Sequence, residues 1–137
     1  MGLYDTAILV IDDMHMMSDL IATILRRLGF ATVDVAHDGT AGLAMMGEKA
    51  YGLVISDVNM EPMGGLKLLS LVRQDPSLKH TPFILMTASL ATENVIAAKR
   101  AGVDTFLMKP FSPAILRERI VGLLGEDGGR GRAVVAR

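Results

Sequence analysis

Gly52-Leu53-Val54-Ile55-Ser56-Asp57 is a short apolar run that stops on a carboxylate. Other runs stop on a reactive side chain in the same way: Ala7–Ile11 leads into Asp12-Asp13, Pro82–Met86 into Thr87, and Thr105–Met108 into Lys109-Pro110. Each has the length and aliphatic content of a buried strand, and helix-like sequence follows each. Strands that alternate with helices build a parallel sheet, in which all strands point the same way. Their C-terminal ends then share one edge, so three carboxylates, a hydroxyl and an ammonium are expected in one crevice. That set fits a metal-assisted site that accepts a phosphoryl group.

The chain has 137 residues, enough for one domain with a full core. Half of the residues are apolar and the formal net charge is only −1. Bulk binding to nucleic acid or to an anionic membrane normally needs a basic bias, so no DNA partner is expected. The absence of cysteine excludes disulfides, thiolate metal ligands and a cysteine nucleophile. No uninterrupted apolar stretch approaches the roughly 18 residues of a membrane span. The N-terminus also lacks a basic segment followed by a hydrophobic signal core. A soluble cytoplasmic domain without membrane insertion is the expectation.

Behind Asp13, the residues Met17, Leu20, Ile21, Ile24, Leu25 and Leu28 trace one face of a helix, and Gly29 stands at a C-terminal cap position. Ala31–Val35 reads as a short strand, and Asp38 is placed to cap a second helix running to about Lys49. Pro62, Gly64 and Gly65 mark a loop before a helix from about Leu66 to Arg73, which Asp75-Pro76-Ser77 ends. A helix from about Thr92 to Arg100 is weakly amphipathic, with Val95, Ile96 and Ala98 as its apolar residues. Ser112-Pro113 starts the last helix, serine as cap and proline in the first helical position. Five β-α units result, with helices on both faces of the sheet if the crossovers are right-handed. Residues 1–124 are read as the domain and 125–137, rich in glycine and arginine, as a flexible tail.

One acid of the Asp12-Asp13 pair could cap the following helix, but capping needs only one carboxylate. Two adjacent acids beside Asp57 repel one another unless a cation neutralises them. Mg²⁺ suits this arrangement because it takes oxygen ligands and keeps several waters. Asp57 can attack phosphorus and carry the group as an aspartyl phosphate. The transition state then needs charge neutralised around its equatorial oxygens. Lys109 can supply this from one side and the metal from another, while Thr87 offers a hydroxyl. Lys109-Pro110 is a candidate cis bond that would aim the lysine inward.

These residues resemble the receiver (response regulator) family of two-component signalling, particularly single-domain chemotaxis-type regulators. The likeness is carried by Val10-Ile11-Asp12-Asp13, Ser56-Asp57-Val58-Asn59-Met60, Leu85-Met86-Thr87-Ala88 and Phe106-Leu107-Met108-Lys109-Pro110-Phe111. It implies an α/β, flavodoxin-like, doubly wound five-stranded parallel sheet of order 2-1-3-4-5 with five helices. It further implies that Asp57 takes phosphate from a phosphohistidine on a histidine kinase or histidine phosphotransfer protein. Asp13, Asp57 and the main-chain carbonyl of Asn59 would hold Mg²⁺, with Asp12 acting mainly through water. Lys109 would pair with a phosphoryl oxygen. Thr87 and Phe106 would be the switch residues, changing the surface of helix four, strand five and helix five that an output protein reads. Such a chain catalyses its own phosphorylation and dephosphorylation and is otherwise not an enzyme.

Phe106 stands where many relatives have Tyr, and Glu61 separates Met60 from Pro62 where the family often has proline directly after the methionine. A phosphate sink without an output of its own has the same site residues. A small haloacid-dehalogenase-type phosphatase also uses a strand-end Asp, but normally with a second acid two residues on, where this chain has Asn59. His15, Met16 and Met17 read as ordinary helix residues, with kinase docking as the alternative, and His37 and His80 are given no role. Arg130, Arg132 and Arg137 read as a solvated tail, with recognition of a cyclic dinucleotide as the minor option.

Overall fold

A computed structural model describes residues 2–125. A short 3-10 turn, Leu3–Asp5, precedes β1 (Ile8–Ile11), α1 (His15–Leu28), β2 (Val33–Ala36), α2 (Gly39–Glu48) and β3 (Leu53–Asp57). Then come α3 (Gly65–Gln74), β4 (Phe83–Thr87), α4 (Thr92–Ala101), β5 (Thr105–Met108) and α5 (Pro113–Leu124). All strand pairs are parallel, and the order is β2-β1-β3-β4-β5. The expected topology is therefore the observed one. Residues 126–137, with the three tail arginines, lie outside the described residues, as does any ligand reading of them.

Alternation along the strands divides the core into two layers. Ile8, Val10, Ile55, Ile84 and Met86 pack with Ile21 and Leu25 of α1 and with Leu116 and Ile120 of α5. The intervening residues Leu9, Ile11, Val54, Phe83 and Leu85 pack with Met46 of α2, Leu68, Leu69 and Val72 of α3, and Ala98 of α4. The strands are thus covered on both faces, which explains their nearly unbroken apolar sequence. Each fully buried Leu, Ile or Phe contributes about 1.5–3 kcal/mol.

The helix signals act as expected. Asp38 accepts the Ala41 N–H and Ser112 accepts the Ile115 N–H, with Pro113 in the first turn of α5. Gly29 (φ 120°) and Gly102 (φ 95°) end α1 and α4 in the left-handed half of backbone space, where a β-carbon is strained. Two expectations need correction. Leu20, placed on the buried face of α1, is 54% exposed. The second strand begins at Val33 rather than Ala31, because pairing with β1 starts at Ile8 opposite Val33.

Arginines close several seams. Arg73 at the end of α3 donates from Nε to the Gly102 carbonyl, from Nη1 to the carbonyls of Lys79 and Thr81, and from Nη2 to Asp104, which also accepts the Phe83 N–H. Along the edge strand β2, the Ala36 carbonyl and that of Thr32 just before the strand accept from Asp12, just after β1, and from Ile8, so the Val33 carbonyl turns outward, where Arg26 donates to it at 2.9 Å. On the opposite edge, β5, Arg119 donates to the Phe106 carbonyl at 3.3 Å.

Candidate phosphoacceptor and metal site

The register sets the site. Ile11 lies opposite Ser56, Asp57 opposite Met86, and Thr87 opposite Met108. The residues that follow each pairing, Asp12 after β1 and Lys109 after β5, therefore leave the sheet at one level beside Asp57. One carboxylate oxygen from each of Asp12, Asp13 and Asp57 lies within 4.8 Å of one from each of the others. Lys109 Nζ sits 3.0 Å from Asp57 Oδ1 and 3.3 Å from Asp12 Oδ2. The Asp12 side chain is sealed, and that of Asp57 is 15% exposed. The bonds preceding Pro110 and Pro62 are both cis.

Asp12 serves both the fold and the site. Its Oδ1 accepts the Met14 N–H at 3.0 Å and turns the chain into α1, whose N-cap is Met14. The other oxygen remains for Lys109. Burial raises the Asp57 pKa above the ordinary carboxylate range; Lys109 opposes that rise, while Asp12 and Asp13 add to it. For Lys109, burial acts downward, but the bond to Asp57 and the charges of Asp57 and Asp12 outweigh it and raise the pKa. Three carboxylates against one ammonium leave an excess of negative charge, and oxygens this close together suit a hard divalent cation. The donor set therefore fits Mg²⁺.

Thr87 is buried at the end of β4, and its hydroxyl is satisfied within its own turn. Oγ1 donates to the Ser89 carbonyl at 2.7 Å and accepts the Ser89 N–H at 3.1 Å. Phe106 is partly buried against the layer that holds α2, α3 and α4. Asn59 is exposed in the β3–α3 loop, beside Asp13 in an open crevice of about 390 Å³. That loop is pinched shut at its base, where the Gly65 N–H donates to the Val58 carbonyl. A β-carbon on Gly65 would stand 2.2 Å from the Asp57 carbonyl oxygen, so only glycine permits this approach.

Two features escaped the sequence reading. An apolar groove of about 390 Å³, lined by Met17, Leu20, Ile24 and Phe111 among others, opens beside Lys109. His37, given no role, places Nδ1 3.2 Å from the Asp12 carbonyl and stacks on His15 with ring centroids 3.6 Å apart. The groove was signalled by the breadth of the apolar stripe on α1; the histidine pair had no sequence signal.

The geometry is that of a receiver domain, and residues 8–121 match the response regulator receiver domain family. The chain belongs to that family. It is 39% identical over 113 residues to chemotaxis protein CheY of Pseudomonas aeruginosa, covering 82% of this chain and 91% of that protein. Chemotaxis protein CheY-3 of Vibrio cholerae is 38% identical over 113 residues, covering 82% of this chain and 87% of the relative. The structure of Vibrio cholerae CheY4 superposes with a TM-score of 0.83 at 29% identity, over 87% of this chain and 98% of that one. Like these relatives, the chain is a signalling regulator. Among the described residues, no helix is long and apolar enough to cross a membrane.

Proposed function

We propose that this chain is a phosphoacceptor switch of a two-component phosphorelay, with residues 1–124 as the receiver. The carboxylate of Asp57 attacks the phosphorus of a phosphohistidine on a histidine kinase or histidine phosphotransfer protein. The new O–P bond forms as the N–P bond breaks, and the imidazole departs with the electron pair. The observation that carries this reading is the single ammonium of Lys109 held between Asp57 and Asp12 in an acidic cluster. A bound Mg²⁺, held by Asp13, Asp57 and the Asn59 carbonyl with Asp12 acting mainly through water, would supply further neutralisation of phosphoryl charge.

After transfer, Lys109 pairs with a phosphoryl oxygen in place of the carboxylate oxygen it now holds. Thr87 gives up the Ser89 carbonyl to donate to another phosphoryl oxygen, and Phe106 turns further inward. The surface read by an output protein is that of α4, β5 and α5, where Ile96, Met108 and Ile115 are large exposed apolar side chains. The groove beside Lys109 gives the donor a foothold next to Asp57. The reading places the chain in the cytoplasm.

The test is intact mass after incubation with acetyl phosphate and Mg²⁺, for wild type and Asp57→Asn. One phosphoryl adduct is expected, lost with EDTA and in the variant. No adduct from acetyl phosphate, and none from a cognate phosphohistidine donor, would overturn the proposal.

A further inference from the structure

Asp13 is the member of the acidic trio whose carboxylate has no hydrogen bond or ion pair among the described residues. Its direction is therefore set by the main chain, first of all by the Asp12-Asp13 peptide. That peptide is gripped through Asp12. The Asp12 N–H donates to the Ala36 carbonyl at 3.2 Å, and the Asp12 carbonyl faces His37 Nδ1 at 3.2 Å. A carbonyl oxygen can only accept, so Nδ1 carries the proton of this bond. The His37 ring is itself fixed, because His15 lies against it with ring centroids 3.6 Å apart and planes only 7° out of parallel. His15 is the first residue of α1, so the chain entering and the chain leaving Asp13 are fastened to the same imidazole.

We infer that His37, steadied by His15, is a positioning residue that fixes the Asp12-Asp13 peptide and so aims the Asp13 carboxylate into the cation site. The inference rests on the proposed reading of that site as a Mg²⁺-dependent phosphoacceptor. A partner that orients a metal ligand without touching the metal commonly changes affinity by tenfold or more. His37 would act in this way through a backbone bond.

The experiment is calorimetric titration of the full chain with Mg²⁺, alongside thermal unfolding without Mg²⁺. The variants are His37→Gln, His37→Asn and His15→Ala. An asparagine amide nitrogen occupies roughly the place of Nδ1 and keeps the donor, whereas a glutamine amide reaches toward the place of Nε2 and loses it. His37→Gln is expected to weaken Mg²⁺ binding about tenfold, with His37→Asn, which keeps the donor but not the stacked ring, and His15→Ala both falling between it and wild type. Equal affinity in His37→Gln and wild type would overturn the inference, as would an asparagine variant no better than the glutamine one. If His37→Gln does not fold, His37→Asn and His15→Ala decide: wild-type affinity in His15→Ala, or tenfold loss in His37→Asn, overturns it. Wild type that takes up no Mg²⁺ overturns the phosphoswitch reading, and this inference with it.

Discussion

Lys109→Met isolates the electrostatics of the acidic cluster. The substitution keeps most of the aliphatic stem against the groove and removes the ammonium that lies 3.0 Å from Asp57 and 3.3 Å from Asp12. Asp12 is sealed from solvent, so its charge has no water to turn to. Removing one partner of a buried ion pair costs about 3–5 kcal/mol, most of it from the charge left behind. Asp57 retains some solvent, which screens its charge. The loss is therefore expected at the lower end, about 3 kcal/mol at pH 7 without divalent cation. Urea unfolding followed by far-ultraviolet circular dichroism measures it. Because the variant site is more negative, Mg²⁺ should stabilise it more than wild type; a ligand at a hundred times its Kd adds about 2.7 kcal/mol. Adding Asp57→Asn to Lys109→Met should recover part of the loss, with a coupling of about 1–3 kcal/mol. A loss below about 1 kcal/mol, or no recovery in the double variant, would refute the electrostatic account.

Arg73→Met should cost about 3 kcal/mol by urea unfolding, since it strips donors from three carbonyls and leaves Asp104 short of its guanidinium. Gly65→Ala should lose about 2 kcal/mol because its β-carbon meets the backbone oxygen of Asp57. Gly42→Ala, whose β-carbon would stand 2.5 Å from Cδ1 and 3.3 Å from Cγ1 of the buried Ile11, should cost less than Gly65→Ala in the same assay, because a side chain rather than the backbone has to give. The pKa of Asp34 is held below its usual 3.8 chiefly by bonds from Lys49 and Tyr51. A depressed carboxylate stabilises the fold above its unfolded pKa and loses that contribution as pH falls through the lower folded value. Unfolding midpoints of wild type and Asp34→Asn should accordingly converge below about pH 4, with wild type the more stable above it.

The parts of the fold that were legible in the sequence are those with a local physical cause. Runs such as Leu53–Ile55 read as strands because both faces are covered, and Ser112-Pro113 reads as a helix start because its cap needs no distant partner. The parallel order then brought Asp12, Asp57 and Lys109 together without any knowledge of side-chain positions. What stayed hidden depends on surfaces meeting. Periodicity placed Leu20 on the apolar face of α1, but that face is wider than the sheet beneath it, so its outer row opens as a groove. Arg73 reads as an ordinary basic residue at a helix end, although its guanidinium donates into two other loops, at 79–81 and at 102–104. His15 and His37 belong to different β-α units, and only packing reveals that their rings touch.

The two arginines on the sheet margins have a consequence beyond holding helices in place. A parallel sheet ends in strands whose outward amides and carbonyls invite a further strand, from another copy or from an unfolding neighbour. Arg26 occupies the Val33 carbonyl and Arg119 the Phe106 carbonyl, so each margin presents a bulky cation where a template would otherwise begin. An incoming strand would have to displace a charged donor to gain the bond at either carbonyl. Two side chains thereby hinder growth of the sheet, one at each of its open sides.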